Sequence, residues 1–283
     1  TSKINAAYSK VVEYYKNNNN LNNADKILTV ESLGLEAESN QFDTSSADLS
    51  STSLSKKIVT EVLLGVDPTE DKKTLESQID ENGNVEGSWG ASSDVWTLYA
   101  LYVTSSEKAN LIANKLNDEL AASSVCGYEW GGTYYADYDT TGWVIEGLAV
   151  VNKEKYATTI NKAIDYIKNN TTMTTTGWVT ADNVDTQSQV LEGMFAYDTN
   201  ALLNDSYTVH PVDCLLNTQL SDGSFPSGYN AEYTTAEVAK TLGTYKNGSV
   251  IIKAKKAYDK MMNPEQPDNT KPAQPTDTKK DSQ

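Results

Sequence analysis

Carboxylates and large aromatics recur at matching places along this chain, and they are the residues whose chemistry needs a reading. Glu146 and Glu192 each stand two residues before a large aliphatic, Leu148 and Met194, and Glu31 holds the similar place before Leu33. Asp137, Asp139 and Asp185 stand at the starts of the same segments. Trp96 and Trp143 lie four residues past Ser92 and Asp139. Trp89, Trp130, Trp178, Tyr134, Tyr135, Tyr138 and Tyr229 gather in the preceding connections. Two carboxylates about 5–10 Å apart with separated pKa values would cleave a glycosidic bond. Trp and Tyr faces beside carboxylates would instead stack a sugar ring and bind its hydroxyls, or hold a cation. Whether the carboxylates meet on a common axis depends on helix rotation, about 100° per residue.

Other chemistry is thin. The single histidine, His210, lies near Asp213 and Cys214. His210 and Cys214 share a helical face, but Asp213 is offset by one residue, and zinc needs further ligands at about 2.0–2.3 Å. Cys214 therefore reads as a small core residue. Cys126 and Cys214 allow one bridge, provided their Cα atoms come within about 7 Å. No cofactor is expected.

The elements that must position these residues repeat. Segments 92–101, 139–148, 185–194 and 233–242 share a polar or threonine start and an apolar helical face ending in a large aliphatic, and recur about every 47 residues. Related but closer-spaced segments end near Leu33 and Leu64. Between them, stretches near 3–17, 71–79, 107–122, 154–169, 208–219 and 249–262 have apolar residues at three- and four-residue intervals. The first set is more apolar and reads as inner helices; the second reads as outer helices. Strand signals are sparse. The expected fold class is all-α, with about twelve helices in about six hairpins.

The chain has 283 residues with formal net charge −16, and its 23 cations are all lysine. Without arginine it lacks the planar fork used for base-edge and bidentate phosphate recognition, and its field repels polyanions. No nucleic-acid partner is expected. No apolar run reaches the length of a membrane span, so no direct membrane insertion is expected. The sequence divides at residue 262. Residues 263–283 hold four of the seven prolines and almost nothing apolar, and read as a disordered Pro/Thr/Lys/Asp-rich linker. The absence of an initial methionine reads as a mature or excised piece.

One string discriminates among helical-repeat folds. Gln219, Gly223 and Phe225 follow the order Q-x3-G-x-[WF], with a looser version in Gln78 and Gly87-Ser88-Trp89, and thinner echoes in Trp130-Gly131-Gly132 and Gly177-Trp178. This resembles the glutamine–tryptophan repeat of the terpenoid cyclase and protein prenyltransferase superfamily. The resemblance implies an (α/α)6 toroid over residues 1–262, with structural roles for the motif aromatics Trp89, Trp178 and Phe225. An open solenoid is the alternative. The cyclase acid motif D-x-D-D-T is approached by Asp137-Tyr138-Asp139-Thr140-Thr141, but Tyr138 falls at the proton donor's place, and a phenol near pKa 10 cannot protonate an alkene. Similar toroids occur in Gram-positive surface proteins and in animal vitamin B12 carriers. The resemblance therefore implies a glycan, corrinoid or peptide held at one end. The expectation is a non-catalytic binding domain of a secreted or wall-tethered bacterial surface protein. Its candidate ligand residues are Trp96, Trp143, Tyr135, Tyr138, Asp137, Asp139, Asp185, Glu146 and Glu192. A carbohydrate-active or prenyl-transferring enzyme and a structural spacer remain the alternatives.

Overall fold

The protein is described by a computed structural model covering residues 2–38, 42–45, 48–174, 177–179, 184–200 and 212–264; for 172–174, 177–179 and 214 the backbone alone is described. Among these residues the chain is mostly helical. The helices are α1 (Ser2–Asn17), α2 (Ala24–Ser32), α3 (Ser51–Leu63), α4 (Thr69–Ser77), α5 (Ala91–Val103), α6 (Ala109–Ser123), α7 (Tyr138–Asn152), α8 (Ala157–Asn170), α9 (Val184–Tyr197), α10 (Asp213–Leu216), α11 (Ala231–Asn247) and α12 (Val250–Met262). Two short antiparallel hairpins interrupt them, β1 (Gly127–Trp130) with β2 (Thr133–Ala136), and β3 (Thr172–Thr174) with β4 (Gly177–Val179).

The two expected helix sets separate by burial. In α8 the buried residues are Ile160, Ala163, Ile164 and Ile167, a single stripe at three- and four-residue steps with a solvated back. In α5 all but Ser92 and Tyr102 are buried, and α7, α9 and α11 are buried nearly all round. Contacts among the buried set form a closed cycle: α2 touches α3, then α3–α5, α5–α7, α7–α9, α9–α11, and α11 returns to α2. Neighbours run parallel, as shown by the pairs Asp25–Lys56, Thr52–Ser93, Trp96–Trp143, Ser188–Thr241 and Lys26–Glu232. The N-termini of all six therefore share one end.

Two features depart from the expected hairpins. Among the described residues no helix separates α2 from α3. The last helix, α12, does not stand outside α11; it packs on α2, α3 and α5 near their C-terminal ends. Lys253 there pairs with Glu31, and Lys255 donates to Ser105 Oγ. Ser249, which caps α12 by accepting from Ile251 N, reaches Glu146 Oε1 at 3.4 Å. Glu31 thus serves α12 rather than a shared axis. The tail beyond residue 264 lies outside the described residues.

The glutamine motif closes the chain. Gln219 Nε2 donates to Ala7 O and to Gly223 O, both at 3.1 Å, tying the turn after α10 to α1. Gly223 has φ +93°, and a Cβ there would meet Lys10 O at 2.2 Å. Phe225 is fully buried, and its N–H donates to Thr235 Oγ1 of α11 at 3.0 Å.

The cycle is tightest at α7 and α9. A Cβ on Gly193 would lie 2.5 Å from Gly142 O, and one on Gly142 would lie 2.7 Å from Gln189 O. Helix propensity alone favours Gly→Ala by about 1 kcal/mol; overpacking costs about 1–3 kcal/mol and wins here. Gly193→Ala is expected to lower the melting temperature by several degrees, at roughly 2–4 °C per kcal/mol. Gly228→Ala, with open space around it, is expected to leave it within about 1 °C. Calorimetry of the two variants checks this.

Candidate functional site

The hairpin β1–β2 is built on α7. Cys126 N–H donates to Thr141 Oγ1 at 2.9 Å, and Asp137 N–H donates to Cys126 O at 2.8 Å. Thr141 occupies in α7 the place that Thr235 occupies in α11, so Cys126 is the counterpart of the buried motif aromatic Phe225. The ten residues between Cys126 and Asp137 then form a projecting ribbon. Its turn is Gly131-Gly132, with φ +58° and +80°, the conformation a two-residue hairpin turn requires. Trp130-Gly131-Gly132 is therefore a hairpin turn and not an echo of the glutamine motif. Gly127 must be glycine, because a Cβ would sit 1.8 Å from Tyr135 O.

This ribbon carries its aromatics into solvent. Trp130 is 76% exposed and Trp89, just ahead of α5, is 57% exposed. Trp89 is thus not the packing residue expected. A bridge between Gly90 and Tyr128 joins the two loops, Trp89 Nε1 donates to Ser92 Oγ at 3.3 Å, and Tyr128 stacks on Tyr135 with centroids 5.7 Å apart. Between them lies a groove of about 400 Å³, lined by Trp89, Tyr128, Trp130 and Trp143 together with Glu129, Asp137 and Asp139. No lysine lines it. A second groove of about 640 Å³ shares Trp89, Tyr128 and Glu129 and runs to Asp94, Lys115, Glu119 and Tyr134.

Trp143 forms the floor and is itself supported from below. It lies 5.4 Å from Trp96, Lys240 Nζ sits 5.3 Å over its ring, and Lys56 Nζ sits 5.0 Å over Trp96. Lys240 pairs with Glu237 at 2.9 Å and Lys56 with Asp25 at 3.1 Å. Four helices of the cycle thus contribute one Lys–Trp–Trp–Lys stack, held by cation–π attraction. Asp137 caps α7 by accepting from Thr140 N and Thr140 Oγ1. Asp139 sits in the first turn, where burial pushes its carboxyl up to about 6; a hydrogen bond from Thr186 opposes this and Asp137, Glu237 and Asp185 add to it.

The remaining expected residues divide. Tyr135 backs Tyr128 and lines neither groove. Tyr138 is half-buried against the core, and Asp185 contributes to the field at Asp139. Glu146 and Glu192 do not reach the groove. Both are buried, with Gln189 Nε2 donating to Glu146 Oε2 at 3.3 Å and Thr244 Oγ1 to Glu192 Oε1 at 3.3 Å. The two carboxyls are close enough to act on each other's ionisation. Burial, then the Glu146 charge, raises Glu192 far above the ordinary range, and burial raises Glu146. The Tyr99 hydroxyl beside Glu146 is raised by burial and by both carboxyls. Burial alone would lower Lys240, but Glu237 and Glu192 outweigh it and its pKa is raised.

Cys126 is a free, buried thiol whose pKa burial raises. His210 and the side chains of Cys214 and Trp178 lie outside the described residues. Among the described residues no group of three His, Cys, Asp or Glu side chains could hold a metal, and no helix is long and apolar enough to cross a membrane. No protein-family model, curated protein or solved structure matches the chain.

The buried pair predicts a pH signature. A carboxyl with a raised folded pKa adds stability that is complete below its unfolded value, near 4.3, and is lost as pH rises toward the folded value. Glu192→Gln removes that loss while keeping a neutral hydrogen-bonding group. Its stability relative to wild type is expected to grow with pH above about 4.5, by up to about 1.4 kcal/mol per pH unit. Melting curves of both proteins from pH 4.5 to 8 measure this; a constant difference contradicts it.

Proposed function

We propose that this chain is a glycan-binding domain, built on an α/α toroid resembling that of the terpenoid cyclase and protein prenyltransferase superfamily and carried by a secreted or wall-tethered bacterial protein. The closed cycle of parallel helices supports the toroid over an open solenoid. The lysine-only, acidic composition and the proline-rich tail support a surface location. A single observation carries the binding reading: three tryptophans and a tyrosine share one groove with three carboxylates and no lysine. Indole faces stack on the apolar faces of sugar rings, carboxylates accept their hydroxyls, and the negative field turns acidic sugars away. A corrinoid or a peptide is the alternative ligand; of peptides, an acidic one is repelled by a groove that carries three carboxylates and no lysine.

The reading is binding without turnover. Hydrolysis is the second reading, and one observation favours it: Asp139, raised to about 6, lies in the groove beside Asp137, as a general acid beside a carboxylate would. Reducing-end assays on bound oligosaccharides separate the two. Turnover that disappears in Asp139→Asn converts the site to an enzyme.

The test of binding is a glycan array holding neutral, amino and uronic-acid oligosaccharides. Neutral and amino glycans are expected to bind and uronic acids to fail. Trp130→Ala is expected to weaken binding tenfold or more, about 1.4 kcal/mol, with the melting temperature within about 1 °C. Trp143→Ala is expected to lose both binding and stability, since it is packed between Trp96 and Lys240. Silence across all classes overturns the reading.

A further inference from the structure

We propose that the two grooves beside the hairpin are one cleft, and that its ligand is a linear oligosaccharide lying across the ridge of Trp89 and Tyr128 rather than a terminal mono- or disaccharide. This rests on the glycan reading above. The two grooves share Trp89, Tyr128 and Glu129, so they are the two flanks of a single ridge. Trp130 belongs to the first flank only and Tyr134 to the second only.

The ridge is fixed in place before any ligand arrives. The Trp89 indole is held by Ser92, the Tyr128 ring lies on Tyr135, and the Gly90–Tyr128 bridge ties the two backbones. A ligand crossing it therefore loses little to ordering the protein. The second flank repeats the chemistry of the first. Tyr134, 47% exposed, offers a ring, and its hydroxyl donates to Glu119 Oε1 at 3.3 Å. Asn84 and Ser88 add polar groups there. Lys115 does not make this flank an anion site, because Asp94, almost wholly buried, pairs with it at 3.5 Å. Two flanks of like chemistry on a rigid ridge suit a repeating polymer, and joining two subsites through one ligand raises affinity beyond either alone.

Isothermal titration with disaccharide and hexasaccharide of two neutral polymers, cellobiose with cellohexaose and diacetylchitobiose with chitohexaose, tests this on the full chain. For the polymer that binds, the hexasaccharide is expected to bind at least tenfold tighter than the disaccharide. Tyr134→Ala is expected to remove most of that gain while leaving disaccharide affinity within twofold, and Tyr134→Phe, which keeps the ring, is expected to retain it. Trp130→Ala is expected to weaken both lengths. Equal affinity for the two lengths, or equal loss of both in Tyr134→Ala, overturns the extended cleft while a Trp130→Ala effect leaves the glycan site standing. No binding of any of the four sugars overturns the cleft, and silence on the array as well overturns the site.

Discussion

Backbone-to-backbone contact between α7 and α9 is the constraint on which the rest depends. Gly142 and Gly193 face each other so closely that neither position has room for a methyl group, and Gly243 approaches Ser32 O in the same way where α11 meets α2. These approaches draw the helices into a closed cycle with a narrow interior. A narrow interior cannot hold water around every polar group, so the side chains there must satisfy one another. Gln189 and Ser249 donate to Glu146, and Thr244 donates to Glu192, across three helices and the start of α12. Burial in such a place raises the pKa of both carboxyls.

The same closeness fixes the mouth. At the mouth, Trp96 of α5, Trp143 of α7 and Lys240, midway along α11, form one stack with Lys56 of α3. The mouth is thereby a floored surface with aromatic character. Threonine at the same turn of two helices then anchors two loops of unequal length. After Phe225 the chain needs only a short turn to reach α11, whereas after Cys126 it makes a ten-residue ribbon before α7. The added length is what lifts Trp130, Tyr128 and Tyr134 clear of the core. A rigid scaffold with one extended loop is a common way to carry a binding surface.

Much of the helical layout was legible in the sequence. The apolar segments near residue 95, 145, 190 and 240 announced the buried helices, and the single-stripe segments between them announced the flanking ones, because burial on all sides and burial on one side leave different periodicities. The equivalence of Glu146 and Glu192 was also legible. Which way they face was not, because a rotation of one residue turns a side chain by about 100°, and the side chains proved to meet each other inside. The motif implies a packing role for Trp89, which stands exposed instead. Phe225 satisfies it by burial, yet its counterpart is Cys126, a residue whose place is defined by a hydrogen bond to Thr141 that no pattern of residue types records. The seat of α12 was hidden for a similar reason, since an amphipathic stripe states that a helix packs and not on what.

A crystal structure of the full chain soaked with the tightest-binding neutral hexasaccharide tests the central claim most directly. The account predicts sugar density running across Trp89 and Tyr128, with one ring on Trp130 or Trp143 and the other end against Tyr134. Density confined to another surface, or an empty cleft at saturating ligand, would contradict it.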